Sequence, residues 1–245
     1  MRIRIVVANI QSGIGVTKGY RQYVTSSWRY LLPHRGQGAM HAGVFLKAED
    51  ADIALLTEVD AGSRRSRNAS QIDVIAEESG IQHTRFFPTR SMGTSINEGN
   101  AVLSRFPITS DRVYALASRM NPRVLGHTVL ELPDKTSMTA LVVHLALGSK
   151  PRELQLAEIV ERIKDIEGPL ILGGDFNERD NRAFRQLEHL GLTAVRVPGY
   201  PSWKPQHALQ VLFISRHFSL IQASVPDGAR FSDHLPLIVE VELER

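Results

Sequence analysis

Residues 170–177 read Leu170-Ile171-Leu172-Gly173-Gly174-Asp175-Phe176-Asn177, a short apolar run that ends in a carboxylate and a carboxamide. Just upstream, Leu154, Leu156, Ile159, Val160 and Ile163 give residues 151–167 the apolar stripe of a helix, opened by Pro151 and stopped by Gly168-Pro169. A helix that delivers the chain into a buried strand is the elementary unit of an α/β protein. Polar groups at the strand's end then stand where such proteins assemble their sites.

The pattern recurs along the chain. Asn9 closes an apolar run at residues 3–8, Glu58 follows Ile53-Ala54-Leu55-Leu56-Thr57, His144 follows Leu141-Val142-Val143, and Asp233-His234 precede a run at residues 236–243. Further strand-like runs cover residues 101–104, 124–132, 138–143 and 211–215, and helices are expected at 70–79, between Ser70 and Gly80, and at 182–190. Strands joined both directly and through helices call for mixed sheets whose outer faces are covered by helices. With 245 residues, 42% of them hydrophobic, and no linker or internal repeat, residues 1–245 are expected to form one domain.

Composition narrows the chemistry. There is no cysteine, so disulfides, thiolate metal sites and a cysteine nucleophile are excluded. The formal charge of +3 and pI near 9.3 describe a mildly basic chain, compatible with a polyanionic partner. Ile3, Ile5 and Val7 alternate with Arg2 and Arg4, which reads as a strand and not as a signal peptide, so a cytoplasmic location is the default expectation. No apolar run reaches the roughly 18 residues of a membrane span.

One segment stands apart. Residues 10–38 hold five glycines and Tyr20, Tyr23, Trp28 and Tyr30, interleaved with Lys18, Arg21, Arg29 and Arg35. That is long for a structureless connection and marks a candidate substrate loop.

The polar strand ends supply three carboxylates (Glu58, Asp175, Asp233), two carboxamides (Asn9, Asn177) and two imidazoles (His144, His234). Each alone reads more readily as a turn or solvated strand-end residue. Together they suit a hard cation such as Mg²⁺ or Mn²⁺ and the hydrolysis of a phosphate ester, which needs charge neutralisation, an oriented water and donors to the phosphoryl oxygens, here imidazolium.

Asn9, Thr57-Glu58-Val59, Gly99-Asn100-Ala101-Val102-Leu103-Ser104, Val143-His144-Leu145, Gly174-Asp175-Phe176-Asn177 and Ser232-Asp233-His234-Leu235-Pro236 occur in one order along the chain. In that order the sequence resembles the endonuclease/exonuclease/phosphatase family, and in particular its short bacterial members, which share His144-Leu145-x-Leu147-Gly148 with Arg152 and Gln155, and Tyr200-Pro201-Ser202-Trp203-x-Pro205. The resemblance implies a four-layer α/β/β/α sandwich, two mixed β-sheets packed face to face as in DNase I. It also implies Glu58 as principal metal ligand with Asn9 and Asp233 in support, and Asp175 and Asn177 positioning the water and a phosphate oxygen. His144 and His234 would face the phosphate, with Asn100 a supporting polar group.

One position departs from the family pattern. The penultimate strand usually carries an Asp that holds the last histidine, and Leu209-Gln210-Val211-Leu212-Phe213-Ile214 puts Gln210 there. Gln accepts an imidazole N–H without adding charge, so Gln210→Asp is expected to raise turnover or move the pH profile upward.

The family hosts many substrates, and loops must decide among them. A nucleic acid, DNA or RNA, is favoured by the aromatic and basic segment at 10–38, by Arg64-Arg65-x-Arg67 and by the positive balance. A phosphatase or phospholipid phosphodiesterase is the alternative, although no hydrophobic surface helix demands it. A weakened nucleic-acid-binding protein is the third reading, resting on Gln210 alone. The chain is expected to act as a monomer.

Overall fold

Ile3, Ile5 and Val7 of β1 (Arg2–Asn9) project into one apolar layer, and Val6 and Ala8 project into another on the opposite face. A strand apolar on both faces must be covered on both, and this one lies near the middle of a sheet. The computed structural model, which describes residues 1–30, 32, 37–118 and 121–244, contains two six-stranded sheets.

The first sheet has the order β11-β12-β1-β2-β4-β3, with β2 (Ile53–Asp60), β3 (His83–Met92), β4 (Ile96–Ser104), β11 (Phe218–Ser224) and β12 (Leu237–Leu243). The second has the order β5-β6-β7-β8-β10-β9, with β5 (Ile108–Leu116), β6 (Arg123–Glu131), β7 (Ser137–His144), β8 (Leu170–Asp175), β9 (Leu192–Val195) and β10 (Gln210–Ser215). Ile5, Leu55 and Val102 from one sheet meet Ala140, Val142 and Leu212 from the other in the central core. The outer face of the first sheet is covered by α2 (Gly38–Ala48) and α3 (Gln71–Ser79), through Leu46, Ile72 and Ile75. The outer face of the second is covered by α4 (Ser149–Ile163) and α5 (Arg185–His189), through Leu156, Ile159 and Leu187. This is the α/β/β/α sandwich implied by the motifs.

Two parallel pairs place the site. β1 runs parallel to β2 with Asn9 opposite Thr57, and β7 runs parallel to β8 with His144 opposite Asp175; every other pairing among the described strands is antiparallel. The carboxyl ends of four central strands therefore meet at one rim, where open α/β sheets hold ligands.

Segment 10–38 carries structure of its own among its described residues. It holds a 3-10 turn at Gln11–Gly13, α1 (Tyr20–Ser26) and a 3-10 turn at Ser27–Tyr30, while Arg35 lies outside the described residues. The Gln22 side chain ties the turn before α1, accepting from the N–H groups of Thr17 and Lys18 and donating to Gly15 C=O. No described helix is long and apolar enough to cross a membrane.

Candidate active site

Asp175 ends β8 at a point where the chain must pass within touching distance of β7. Gly174 adopts φ +147°, and a Cβ there would stand 1.8 Å from the Val143 carbonyl oxygen, so only glycine lets Asp175 lie beside His144. Glu58 is aimed by a different device: β2 slips its register against β4 between Leu56 and Val59, and Glu58 takes φ +54° in the bulge. For a non-glycine residue that conformation costs about 1–3 kcal/mol, a strain typical of functional positions.

A cleft of about 410 Å³ opens at this rim, lined by Glu58, Arg123, His144, Asp175, Asn177 and Asp233 among others. His234 lines it too, its ring packed on Tyr200 at 4.5 Å between centroids. Asp175 Oδ2 is the hub, 3.7 Å from His234 Nε2, 3.9 Å from His144 Nε2 and 3.1 Å from the Asn9 amide that donates to it. The imidazole distances exceed a direct hydrogen bond and leave room for an intervening oxygen.

The electrostatics separate the carboxylates. Burial pulls the Asp175 carboxyl upward, but His234, His144, the Asn9 amide and the Asn177 N–H outweigh it and hold the group below the usual range. Glu58 goes the other way, pushed up to about 8 by burial and by the neighbouring Glu98 and Asp233, against the Asn9 hydrogen bond. Burial, with Arg123 beside it, drives the His144 imidazole down to about 3. Held that way, the His144 ring is favoured in its neutral form, and the Arg123 guanidinium lines the same cleft.

Arg123 is the main residue that motif reading missed. Burial pushes its pKa down against the pull of Glu58, Asp175 and Glu98, its Nε has no partner, and no ion pair to it occurs among the described residues. The pairing Leu125 with Val143 carries the start of β6 to the end of β7, so Arg123 reaches the same rim as His144. Glu98 was missed as well. It is fixed by Ser12 Oγ at 3.0 Å and by Arg65 at 3.2 Å.

Other expected residues lie elsewhere or act differently. Asn9 donates to both Glu58 and Asp175 and accepts from the Gln11 N–H, a strut between the two carboxylates. Asn177 donates to Leu145 C=O at the cleft edge. Asn100 does not line the cleft; it is buried, with its amide 3.5 Å from Val124 C=O. Gln210 does not hold the His234 ring in place of the family Asp. Oriented by its partners, its amide accepts from the Asn9 N–H at 2.7 Å and donates to Leu235 C=O, because the start of β10 passes between those two backbones. Arg65, expected among nucleic-acid contacts, is fully buried, with Nε and Nη2 on Asp60.

Neighbouring segments brace the rim. Arg152 donates to Ala146 and Leu147 carbonyls, Gln155 accepts from the Ala146 N–H, and together they shape the turn after His144. Ser202 N–H donates to Asp233 C=O at 2.7 Å. The Asp233 carboxylate accepts from Ser232 Oγ and from the Tyr23 hydroxyl of α1.

No three His, Asp or Glu side chains close into a metal cage among the described residues. The donor set nonetheless fits a hard divalent cation, which binds through one or two carboxylates and keeps several waters. Glu58 and Asp233 face one cleft, and burial together with the negative charge crowded there raises Glu58.

Sequence and structure comparisons agree with this architecture. A UPF0294 protein of Erwinia tasmaniensis is 31% identical over 123 residues, which cover 47% of this chain and 46% of the relative, so the match spans about half the length of each. The fold is similar to an endonuclease/exonuclease/phosphatase from Beutenbergia cavernae (TM-score 0.77, 19% identity, covering 99% of this chain and 72% of that one). It is also similar to the human Nocturnin catalytic domain with bound sulfate anion (0.72, 18%, 99% and 94%). A mannosyl-6-phosphatase of Bacteroides thetaiotaomicron is similar as well (0.71, 16%, 98% and 100%). At these identities the structures speak for the fold alone. The sequence profile of the Endonuclease/Exonuclease/phosphatase family matches residues 44–234, from α2 to His234, and with most of its length so matched the chain belongs to that family of phosphoester hydrolases.

Proposed function

We propose that this chain hydrolyses phosphate esters with the help of a divalent cation held by Glu58 and Asp233. The observation that carries the reading is Asp175, a fully buried carboxylate kept ionised between two imidazoles, with an unpaired guanidinium lining the same cleft. A bound cation would neutralise phosphoryl oxygens and the leaving group. Asp175 orients the attacking water and takes its proton, and Asn177 holds it from the other side. His144 and His234 donate from Nε2 to phosphoryl oxygens, and the Arg123 guanidinium adds positive charge in the same cleft.

For the substrate class, the nucleic-acid reading loses Arg65 to its buried ion pairs and keeps the exposed Arg64 and Arg67, and Lys18 and Arg21 with the aromatic side chains of their segment. A membrane-borne phosphate ester gains from the exposed face of segment 20–32 described below. Bis(p-nitrophenyl) phosphate and p-nitrophenyl phosphate, each with Mg²⁺, Mn²⁺ or chelator, test the chemistry directly. Turnover should require the cation and fall by about 10³-fold or more in Asp175→Asn. Turnover indifferent to chelator, or to that substitution, would remove the proposal.

A further inference from the structure

Four apolar side chains of one segment face solvent at intervals of four residues: Tyr20 is 65% exposed, Val24 77%, Trp28 46% and Leu32 56%. Such spacing is one face of a helix. α1 and the 3-10 turn after it carry Tyr20, Val24 and Trp28, and the Leu32 N–H bonds to Trp28 C=O at 2.9 Å. The opposite side of the segment is anchored by Tyr23 to Asp233, by Gln22 to the backbone at residues 15–18 and by buried Ser26, and the Tyr20 ring, though 65% exposed, also meets Trp203 edge-on at 5.1 Å. A surface helix of a globular protein normally buries its apolar stripe and shows its polar one. Here the order is inverted.

The stripe adjoins the cleft through the Tyr23 contact. Leu147, which lines the same cleft, is 81% exposed. Lys18 and Arg21 flank the stripe, exposed and without an ion pair among the described residues, and the Arg29 guanidinium lies 5.5 Å from the centre of the Trp28 ring.

We infer that this face seats on an anionic lipid bilayer and presents the cleft to phosphate esters carried in the membrane; the second half of the inference rests on the phosphoesterase reading above. Val24 and Leu32 enter the acyl boundary, Tyr20 and Trp28 take the interfacial level that amphipathic rings favour, and Lys18 and Arg21 meet lipid phosphates. A second copy is a poorer occupant, since a two-fold contact sets the patch against itself and brings the same cations together. A nucleic acid is poorer too, because Val24 and Leu32 have no π-face on which a base can stack.

The test uses the full chain with chelator, sedimented with vesicles of phosphatidylcholine alone or mixed equally with phosphatidylglycerol. Pelleting is expected with the mixed vesicles, weakening as salt rises, and partitioning should drop at least about 10-fold in Val24→Asp/Trp28→Ser. Tyr20→Ser/Val24→Ser serves as a milder second pair, and circular dichroism confirms the fold of both. Hydrolysis of soluble bis(p-nitrophenyl) phosphate should be unchanged in each. Wild-type protein left in the supernatant, folded variants that pellet like wild type, or a stripe covered only on dimerisation or by an oligonucleotide would each overturn the inference. Absence of soluble-ester turnover in the wild type would instead defeat the phosphoesterase reading and leave the vesicle result to stand by itself.

Discussion

The Tyr23 hydroxyl donates a hydrogen bond to Asp233 Oδ2, joining α1 to the loop before β12 across 210 residues of sequence. Burial and the adjacent Asp233 carboxylate push the phenol's pKa upward, so it stays protonated and donates. The bond fixes a carboxylate that the proposed cation needs, and it does so from the segment that carries the exposed apolar stripe. Tyr23→Phe keeps the ring packed on Trp203 and removes only the donor. It should lower stability by about 1–2 kcal/mol, read by urea unfolding, and reduce kcat by roughly 10-fold, since hydrogen bonds to charged groups contribute on that scale. An unchanged kcat would show that Asp233 is held well enough by Ser232 and the backbone.

Arg123 poses a trade between stability and activity. A half-buried guanidinium without an ion-pair partner among the described residues is a cost to the folded state that substrate phosphate would offset. Arg123→Ala should therefore leave the melting temperature unchanged or raise it, while kcat/KM for a phosphate ester falls about 10²–10³-fold. Arg123→Lys should recover part of the loss, because it restores the charge without the planar fork. A sharp fall in melting temperature in Arg123→Ala would assign the residue a structural role.

Legibility in the sequence followed burial. The eight strands visible as apolar runs are the inner strands of the two sheets, whereas β3, β5, β9 and β11, which left no such run, are the four edges. An edge strand such as β5 is exposed along most of its length, so its pattern carries little apolar signal. Helix α2 was silent for another reason: Gly43 lies where a Cβ would stand 2.6 Å from the Glu78 side chain, so close packing against α3 replaced the apolar stripe. At the site, polar residues at the ends of buried strands were legible because the strands were. Arg123, Glu98 and Tyr23 reach the rim through strand register, a buried ion-pair network and a helix, none of which leaves a local motif.

Gln210 now carries the opposite expectation from the one its alignment suggested. Its amide serves as donor to Leu235 C=O and acceptor from Asn9 N–H, in a buried position whose strand partner is Asp175. An Asp there is shorter, cannot donate when ionised, and adds negative charge beside Asp175 and Glu58. Gln210→Asp should lower stability by about 1–3 kcal/mol and fail to raise turnover. Urea unfolding and a pH–rate profile test both halves; a faster enzyme would mean that the side chain can swing to His234 after all.

Stability toward acid should carry the mark of His127, which does not line the cleft. Burial on β6, with the Arg112 charge across the strand pair, lowers its pKa, and its Nε2 has no partner. Above the unfolded value, near 6.5, the ring is neutral in both states and contributes no pH dependence. As pH falls below that value the unfolded chain takes up a proton that the folded chain refuses, so stability declines until the depressed folded pKa is passed. His127→Gln cannot charge and should flatten the part of the stability–pH curve that begins just below pH 6.5. Urea unfolding from pH 7 to pH 5 on both proteins is the measurement. Parallel curves would mean that the ring finds a partner for its proton in the folded state, and the unpaired Nε2 would then have to be hydrated.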